Sequence, residues 1–118
     1  MITRPIILTA EKLFNTTPIE RSEEEQAAID EQTRSMAMYE FQACPYCVKT
    51  RRALKRLNLK IECRDALNNQ EYKQELTTKG GKFQVPCLRI NDKDQDIWMY
   101  ESSDIIKYLD QRFGSAVS

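Results

Sequence analysis

Short apolar stretches alternate with longer amphipathic ones along most of the chain, a pattern typical of alternating strands and helices. Residues 36–41 are aromatic and apolar without a helix breaker, and residues 59–64 alternate with a period of two, so both stretches predict strands. Residues 45–58 have the apolar spacing of a helix, and a second helix is predicted over 69–78. The glycines at 80–81 end it.

The second half of the chain predicts a hairpin and a last helix. Residues 82–90 form an apolar strand that contains Pro86, which cannot donate to a strand ladder and is therefore expected at the strand's beginning, with a cis bond. A polar turn separates this strand from the next one at 97–100, and a helix opens at Glu101. The predicted order is β-α-β-α-β-β-α, an α/β fold with a four-stranded mixed sheet.

An N-terminal extension, residues 1–35, precedes the domain at 36–118. Residues 1–21 carry apolar positions at loosely helical spacing, which indicates an arm or short helix that packs on the domain or, alternatively, a segment that docks on a membrane surface or a partner. Ser22 and Glu25 form a capping box and predict a helix over 23–34.

Charge suggests where this helical extension docks. Its first turn is acidic, whereas the helix at 45–58 has a basic outer face formed by Lys49, Arg51, Arg52, Lys55 and Arg56. Opposite charges predict docking of the helix near that basic face, with Ile29 as the apolar anchor, because exposed ion pairs alone contribute little.

Composition limits the function more than it reveals it. The 118 residues predict one domain, and equal numbers of basic and acidic residues, 18 each, give no field that would attract nucleic acid. The chain has no histidine, which excludes histidine-based catalysis and histidine metal ligands. The N-terminal apolar run is too short for a signal peptide or a membrane span, so we expect the protein in the reducing cytoplasm. We also expect a monomer without a membrane partner.

The motif Cys44-Pro45-Tyr46-Cys47 holds the candidate chemistry. It lies between a predicted strand and a helix that Pro45 is well suited to open. Cys44 is thus placed at a helix N-terminus, where free N–H groups and the helix dipole favour a thiolate. Cys47 lies one turn inside and is positioned to resolve a mixed disulfide on Cys44. A CxxC pair beside a βαβ pattern indicates a redox dithiol.

The other two cysteines, Cys63 and Cys87, are single residues in separate predicted strands. A zinc site needs four ligands, usually from two paired motifs, so we expect no metal. Cys63 is predicted to be a small buried residue of the second strand.

Three separated motifs resemble those of the glutaredoxins, which have a thioredoxin-like fold: CPYC after the first strand, Val85-Pro86 before the third, and Glu101-Ser102 before the last helix. The resemblance covers residues 36–113. Gln84-Val85-Pro86 and the segment 100–105 are more similar to glutathione-transferase N-terminal domains and to the glutaredoxins related to them.

The resemblance implies a glutathione-dependent oxidoreductase of cell redox homeostasis, with electron transport from glutathione to glutathionylated or disulfide-containing proteins. Glutathione would be a co-substrate. Cys44 would be the nucleophile and Cys47 the resolving thiol. The glutathione-binding residues would be Tyr46, Gln84, Val85, Pro86, Glu101 and Ser102, with Glu101 and Ser102 at its γ-glutamyl end.

Two alternatives stay open at this point. An iron–sulfur carrier would bridge a cluster with glutathione, and a thioredoxin-like donor would not use glutathione. The chain also departs from many glutaredoxins at Phe41, where they carry a lysine or arginine close to the glycyl carboxylate of glutathione. Lys49, Lys82 and Gln84 are the candidates for replacing that cation.

Overall fold

A four-stranded mixed sheet forms the centre of the protein. The computed structural model describes residues 18–114. Its strands are β1 (Met36–Glu40), β2 (Glu62–Asp65), β3 (Cys87–Asp92) and β4 (Gln95–Met99), arranged in the order β2-β1-β3-β4. β1 is parallel to β2 and antiparallel to β3, which is antiparallel to β4.

Four helices complete the described part of the chain: α1 (Glu23–Thr33), α2 (Pro45–Arg56), α3 (Gln70–Thr78) and α4 (Ser102–Phe113). From residue 36 onwards the order is β-α-β-α-β-β-α, as the sequence predicts. The predictions for residues 1–17 lie outside the described residues. Within residues 18–114, no helix combines the length and the hydropathy needed to cross a membrane.

Alternate side chains of β1 belong to two apolar clusters, one on each face of the sheet. Met36 and Met38 join the larger cluster, which contains residues of α1, α2 and α4. Ala37 and Tyr39 join the smaller one, which contains Leu76 of α3. Because β1 is central and buried on both faces, its C-terminal end gives the loop that follows a fixed position.

The third strand begins later than predicted. It starts at Cys87 rather than Lys82, and the segment 82–86 is irregular. Pro86 is the last residue before the strand, where its missing N–H costs no ladder hydrogen bond. Gly81, at φ +90°, turns the chain out of α3 into this segment.

The predicted burial of Cys63 is wrong. Cys63 pairs in register with Met38, but it is exposed. β2 is an edge strand in the described sheet, so the apolar cluster that covers Met38 on the central strand does not extend over Cys63.

The extension docks through Ile29, as predicted, but not against the basic face of α2. Ile29 is 7% exposed and belongs to the larger apolar cluster. The polar contacts of α1 include Gln26, which donates to the Asn58 carbonyl at 3.1 Å, Asp30, which pairs with Lys60 at 3.3 Å, and Gln32, which accepts from Arg112. These contacts place α1 beside the C-terminal ends of α2 and α4, so the charge-based prediction is wrong.

Candidate active site

Strand register brings three separated segments to one end of the sheet. Tyr39 of β1 is opposite Cys87, the first residue of β3, and Leu88 is opposite Met99, the last residue of β4. The loop after β1, the segment before β3 and the start of α4 therefore meet at the same edge. These segments carry the three motifs that the sequence singled out.

Cys44 is the N-cap residue of α2, with extended backbone angles (φ −72°, ψ 125°), and Pro45 follows at the start of the helix. Its side chain is half-buried. Desolvation raises the pKa of Cys44, but hydrogen bonds from the Cys47 N–H, the Cys47 thiol and the Tyr46 N–H, with the Arg51 charge, outweigh it. The net effect lowers the pKa of Cys44, so its thiol ionises more readily than an ordinary cysteine.

Cys47 has the opposite character. It is fully buried, and the Phe41 N–H donates to its sulfur at 3.5 Å. Burial is the main cause that raises the pKa of Cys47 to about 12. The nearby Cys44 and Glu40 also raise this pKa, whereas the Phe41 hydrogen bond lowers it. Both cysteines are free thiols. The pair therefore combines Cys44, whose thiol ionises more readily than usual, with Cys47, whose thiol stays protonated.

Arg51 is the cation that acts on Cys44, and the sequence did not separate it from the other basic residues of α2. It forms an ion pair with Glu40 and donates to the Gln42 carbonyl at 2.8 Å, so it joins the helix to the end of β1 and the loop. Its place two helical turns after Cys44 is the sequence signal that could have distinguished it.

The Val85–Pro86 peptide bond is cis. Pro86 is buried, Val85 is half-buried and Gln84 is exposed at the same edge of the sheet. Cys87 follows in β3, and burial raises its pKa to about 12. This third thiol is therefore inert although it lies close to the site in the sequence.

Glu101 and Ser102 form the N-terminus of α4. Glu101 is the N-cap residue, but its side chain makes no capping hydrogen bond. Within residues 18–114 the Ser102 hydroxyl has no hydrogen-bond partner either. The first N–H groups of the helix, a hydroxyl and an exposed carboxylate are thus all available to a ligand. This set suits the ammonium and carboxylate of an amino-acid head group.

Phe41 is part of an aromatic pair with Phe83, with ring centroids 5.5 Å apart. The ammonium of Lys73, from α3, lies 5.2 Å from the Phe83 ring centroid. Lys82 instead lies over the ring of Tyr100, and Lys49 is on the outer surface of α2. The structure therefore brings a cation against the ring that packs on Phe41. Sequence reasoning missed Lys73 because it reaches Phe83 only through tertiary packing.

Tyr46 is 61% exposed, the largest exposed aromatic side chain of the described region. It lies in the first turn of α2, two residues after Cys44. Among residues 18–114 no group of three or more metal-ligating side chains is arranged to hold an ion.

The sequence matches the family described as "Glutathione S-transferase, N-terminal domain" over residues 38–116, which contain all three motifs. The chain belongs to the glutathione S-transferase N-terminal domain family. This agrees with the motifs of the sequence, which are similar to both transferase N-terminal domains and the glutaredoxins related to them.

The relatives of this transferase N-terminal domain include glutaredoxins. Glutaredoxin 2 of Escherichia coli (strain K12) is 35% identical over 79 residues, which cover 67% of this chain and 34% of that protein. The chain thus spans about a third of the length of the curated relatives it matches.

Two solved structures have the same thioredoxin-like fold. A wheat glutaredoxin has a TM-score of 0.51 at 16% identity, covering 84% of this chain and 94% of its own. Maleylacetoacetate isomerase of Anaeromyxobacter dehalogenans 2CP-1 has a TM-score of 0.52 at 20% identity, covering 68% of this chain and 37% of its own. That isomerase structure has dicarboxyethyl glutathione and citrate in its active site. The thioredoxin-like fold expected from the sequence is confirmed.

Proposed function

We propose that this protein is a glutathione-dependent dithiol oxidoreductase, a glutaredoxin, that reduces glutathione mixed disulfides and protein disulfides through Cys44 and Cys47. The observation that carries the proposal is that these two thiols, within one helical turn, have opposite pKa shifts: the pKa of Cys44 is lowered at the helix N-terminus and that of buried Cys47 is raised to about 12. Only a thiolate attacks a disulfide, so the two cysteines have separate roles.

With a glutathione mixed disulfide as substrate, the Cys44 thiolate attacks the glutathione sulfur. A disulfide forms between Cys44 and glutathione, the substrate–glutathione bond breaks, and the substrate sulfur leaves as a thiolate that takes a proton from solvent. A second glutathione thiolate then attacks the glutathione sulfur of this adduct. Oxidised glutathione leaves, and the Cys44 thiolate is restored.

With a protein disulfide, Cys44 attacks one sulfur and the other leaves. Cys47 must then give up its proton and attack the Cys44 sulfur, which releases the second substrate thiol and leaves a Cys44–Cys47 disulfide. Two glutathione molecules reduce that disulfide. Because the pKa of Cys47 is about 12, this step depends on the local loss of its proton, whereas the first step does not.

Glutathione binding is supported by the unused groups at the start of α4. The γ-glutamyl ammonium fits the Glu101 carboxylate, and its carboxylate fits the Ser102 hydroxyl and the helix N–H groups. Val85 offers backbone groups to the cysteinyl residue, and Lys73 offers a cation to the glycyl carboxylate. We also propose a cytoplasmic location, because the reaction draws on a reducing glutathione pool.

The test compares Cys44→Ser with Cys47→Ser in a glutathione-coupled assay, beside a thioredoxin-reductase-coupled assay on wild type. Cys44→Ser should abolish the reduction of glutathione mixed disulfides and of protein disulfides. Cys47→Ser should keep reduction of a small glutathione mixed disulfide and lose reduction of protein disulfides. The proposal would be contradicted if both variants lost the reduction of the mixed disulfide equally, or if the wild-type protein turned over with thioredoxin reductase but not with glutathione.

A further inference from the structure

Two adjoining cavities form a groove along the outer surface of α2. The first, about 400 Å³, is lined by the first turn of the helix, including Pro45 and Tyr46. The second, about 250 Å³, continues towards Ile106 of α4. Lys49 and Arg52 line both cavities, so the two are parts of one surface, which we name the α2 groove.

Two of the three cations that line the α2 groove are uncompensated within the part of the chain that the structure describes. Arg56, at its far end, is neutralised by Asp110 at 2.9 Å. Lys49 and Arg52 are exposed and have neither an ion pair nor a hydrogen bond among residues 18–114. No carboxylate side chain lines either cavity within that region. A negatively charged ligand would therefore supply the counter-charge that Lys49 and Arg52 lack among residues 18–114.

The walls of the groove are apolar where they are not cationic. Pro45, Val48 and the Tyr46 ring line the first cavity, and Ala53 and Ile106 line the second. A surface with apolar walls and two cations that are unpaired within residues 18–114 suits a peptide segment that carries acidic residues beside an apolar side chain. The acidic residues would guide and orient the peptide through the cations, and the apolar side chain would be buried against the walls.

The groove starts immediately beside the nucleophile. Pro45 and Tyr46 follow Cys44 directly, so a chain lying in the groove is presented to the Cys44 thiolate. Apart from Tyr46 at the beginning of the groove, the groups suited to glutathione are on other segments, at Val85, at Lys73 and at the start of α4. A small glutathione disulfide can thus react without entering the groove, whereas a protein disulfide extends beyond the glutathione site.

We propose that the α2 groove is a docking surface for protein substrates and selects those with an acidic segment flanking the reactive cysteine. This rests on the proposed oxidoreductase function and adds its substrate class. Lys49 and Arg52 are the residues that determine the selection.

The experiment uses two glutathionylated peptides that differ only in the residues flanking the cysteine, glutamates in one and glutamines in the other. The full-length protein should favour the glutamate peptide in kcat/KM by about three- to tenfold, as two exposed ion pairs allow. In about 1 M salt, where screening reduces such pairs, this ratio should approach one.

The double variant Lys49→Glu with Arg52→Glu should lose or reverse the preference. The control, Lys79→Glu with Lys93→Glu, makes the same change in net charge at exposed positions outside the groove and should keep it. Because the readout is a ratio of two substrates within each variant, a general change in activity does not affect it.

A ratio near one in wild type, or an equal fall in both double variants, would overturn the docking proposal. So would a wild-type dimer in sedimentation that Lys49→Glu with Arg52→Glu dissociates, since the groove would then join two copies. Failure of the proposed function is a different result: the mixed disulfide of glutathione and mercaptoethanol, which is too small to need the groove, would not be turned over.

Discussion

The two thiols of the CPYC turn differ because their surroundings differ, although both are cysteines of one motif. Cys44 faces N–H donors at a helix N-terminus and the nearby Arg51 charge, all of which stabilise the thiolate. Cys47 is fully buried, so its ionisation carries a desolvation cost. The difference in pKa between the two thiols therefore follows from a displacement of one helical turn.

Replacing Arg51 should weaken the thiolate. In Arg51→Gln the positive charge near Cys44 is lost, so the pKa of Cys44 should rise and its alkylation rate should titrate at a higher pH than in wild type. At any pH below the new midpoint the thiolate fraction is smaller and alkylation is slower. Mass-resolved alkylation of Cys44 against pH gives the midpoint.

Lys55→Gln is the matched control, because Lys55 is exposed on the same helix and loses the same charge. It should leave the midpoint where it is in wild type. An equal upward shift in both variants would show that the net charge of the helix, and not the placement of Arg51, sets the pKa of Cys44.

Lys73 is the candidate cation for the glycyl carboxylate of glutathione. Lys73→Ala should raise KM for glutathione by roughly tenfold, the value for a lost charge-assisted hydrogen bond, with little change in the pKa of Cys44. Lys79→Ala removes an exposed charge next to the end of the same helix and should leave KM unchanged. Equal KM values for both variants would remove Lys73 from the site.

At the scale of the elements, the start of α4 is built like a ligand site and not like a closed helix cap. In the capping box of α1, the Ser22 hydroxyl accepts from the Glu25 N–H at 3.1 Å and the Glu25 carboxylate accepts from the Ser22 N–H. In α4 neither Glu101 nor Ser102 does this within the described region. This contrast within one chain supports the proposal that the N-terminus of α4 is left open for a ligand.

Ser102→Ala should therefore affect binding and not stability. Loss of one hydrogen bond to glutathione should raise KM by roughly two- to tenfold, while the midpoint of urea unfolding stays at its wild-type value because no internal bond is lost. Ser103→Ala, at the next and exposed position, is the control and should change neither quantity. A lower unfolding midpoint with an unchanged KM would make Ser102 a cap residue instead.

The sequence predicted these elements well where a pattern is local. The apolar and polar pattern with its turn signals predicted the order of every strand and helix of residues 36–113, although it began the third strand at residue 82 and not at Cys87. It was less successful where the outcome depends on neighbours in space. Cys63 has the alternation of a buried strand residue, yet strand order puts it at an edge. Lys73 reaches the ring of Phe83 only after α3 packs.

For the whole molecule, α1 is part of the same apolar core as the domain that follows it. Ile29 contributes to the larger cluster, and the Arg21 guanidinium donates to the Phe113 carbonyl at 3.2 Å. The sequence identified the anchor but placed the helix by charge. Exposed charges are weak compared with burial, so the apolar contact decided where the helix lies.

Ile29→Ala should lower the free energy of unfolding by about 2–4 kcal/mol, as expected for truncating a buried isoleucine. Glu24→Ala, on the exposed side of the same helix, should change it by less than about 0.5 kcal/mol. Urea unfolding followed by the Trp98 fluorescence measures both. A cost for Ile29→Ala as small as that for Glu24→Ala would show that α1 adds nothing to the core.

The strand order leaves β2 and β4 each with a neighbour on one side only, among the residues that the structure describes. Unpaired strand edges are where separate molecules join sheets and aggregate. Here both edges carry charge, with Glu62, Arg64 and Asp65 on one and Asp96 on the other. A second molecule that added a strand would bury or oppose those charges, so the charged edges of the sheet disfavour intermolecular sheet formation in concentrated solution.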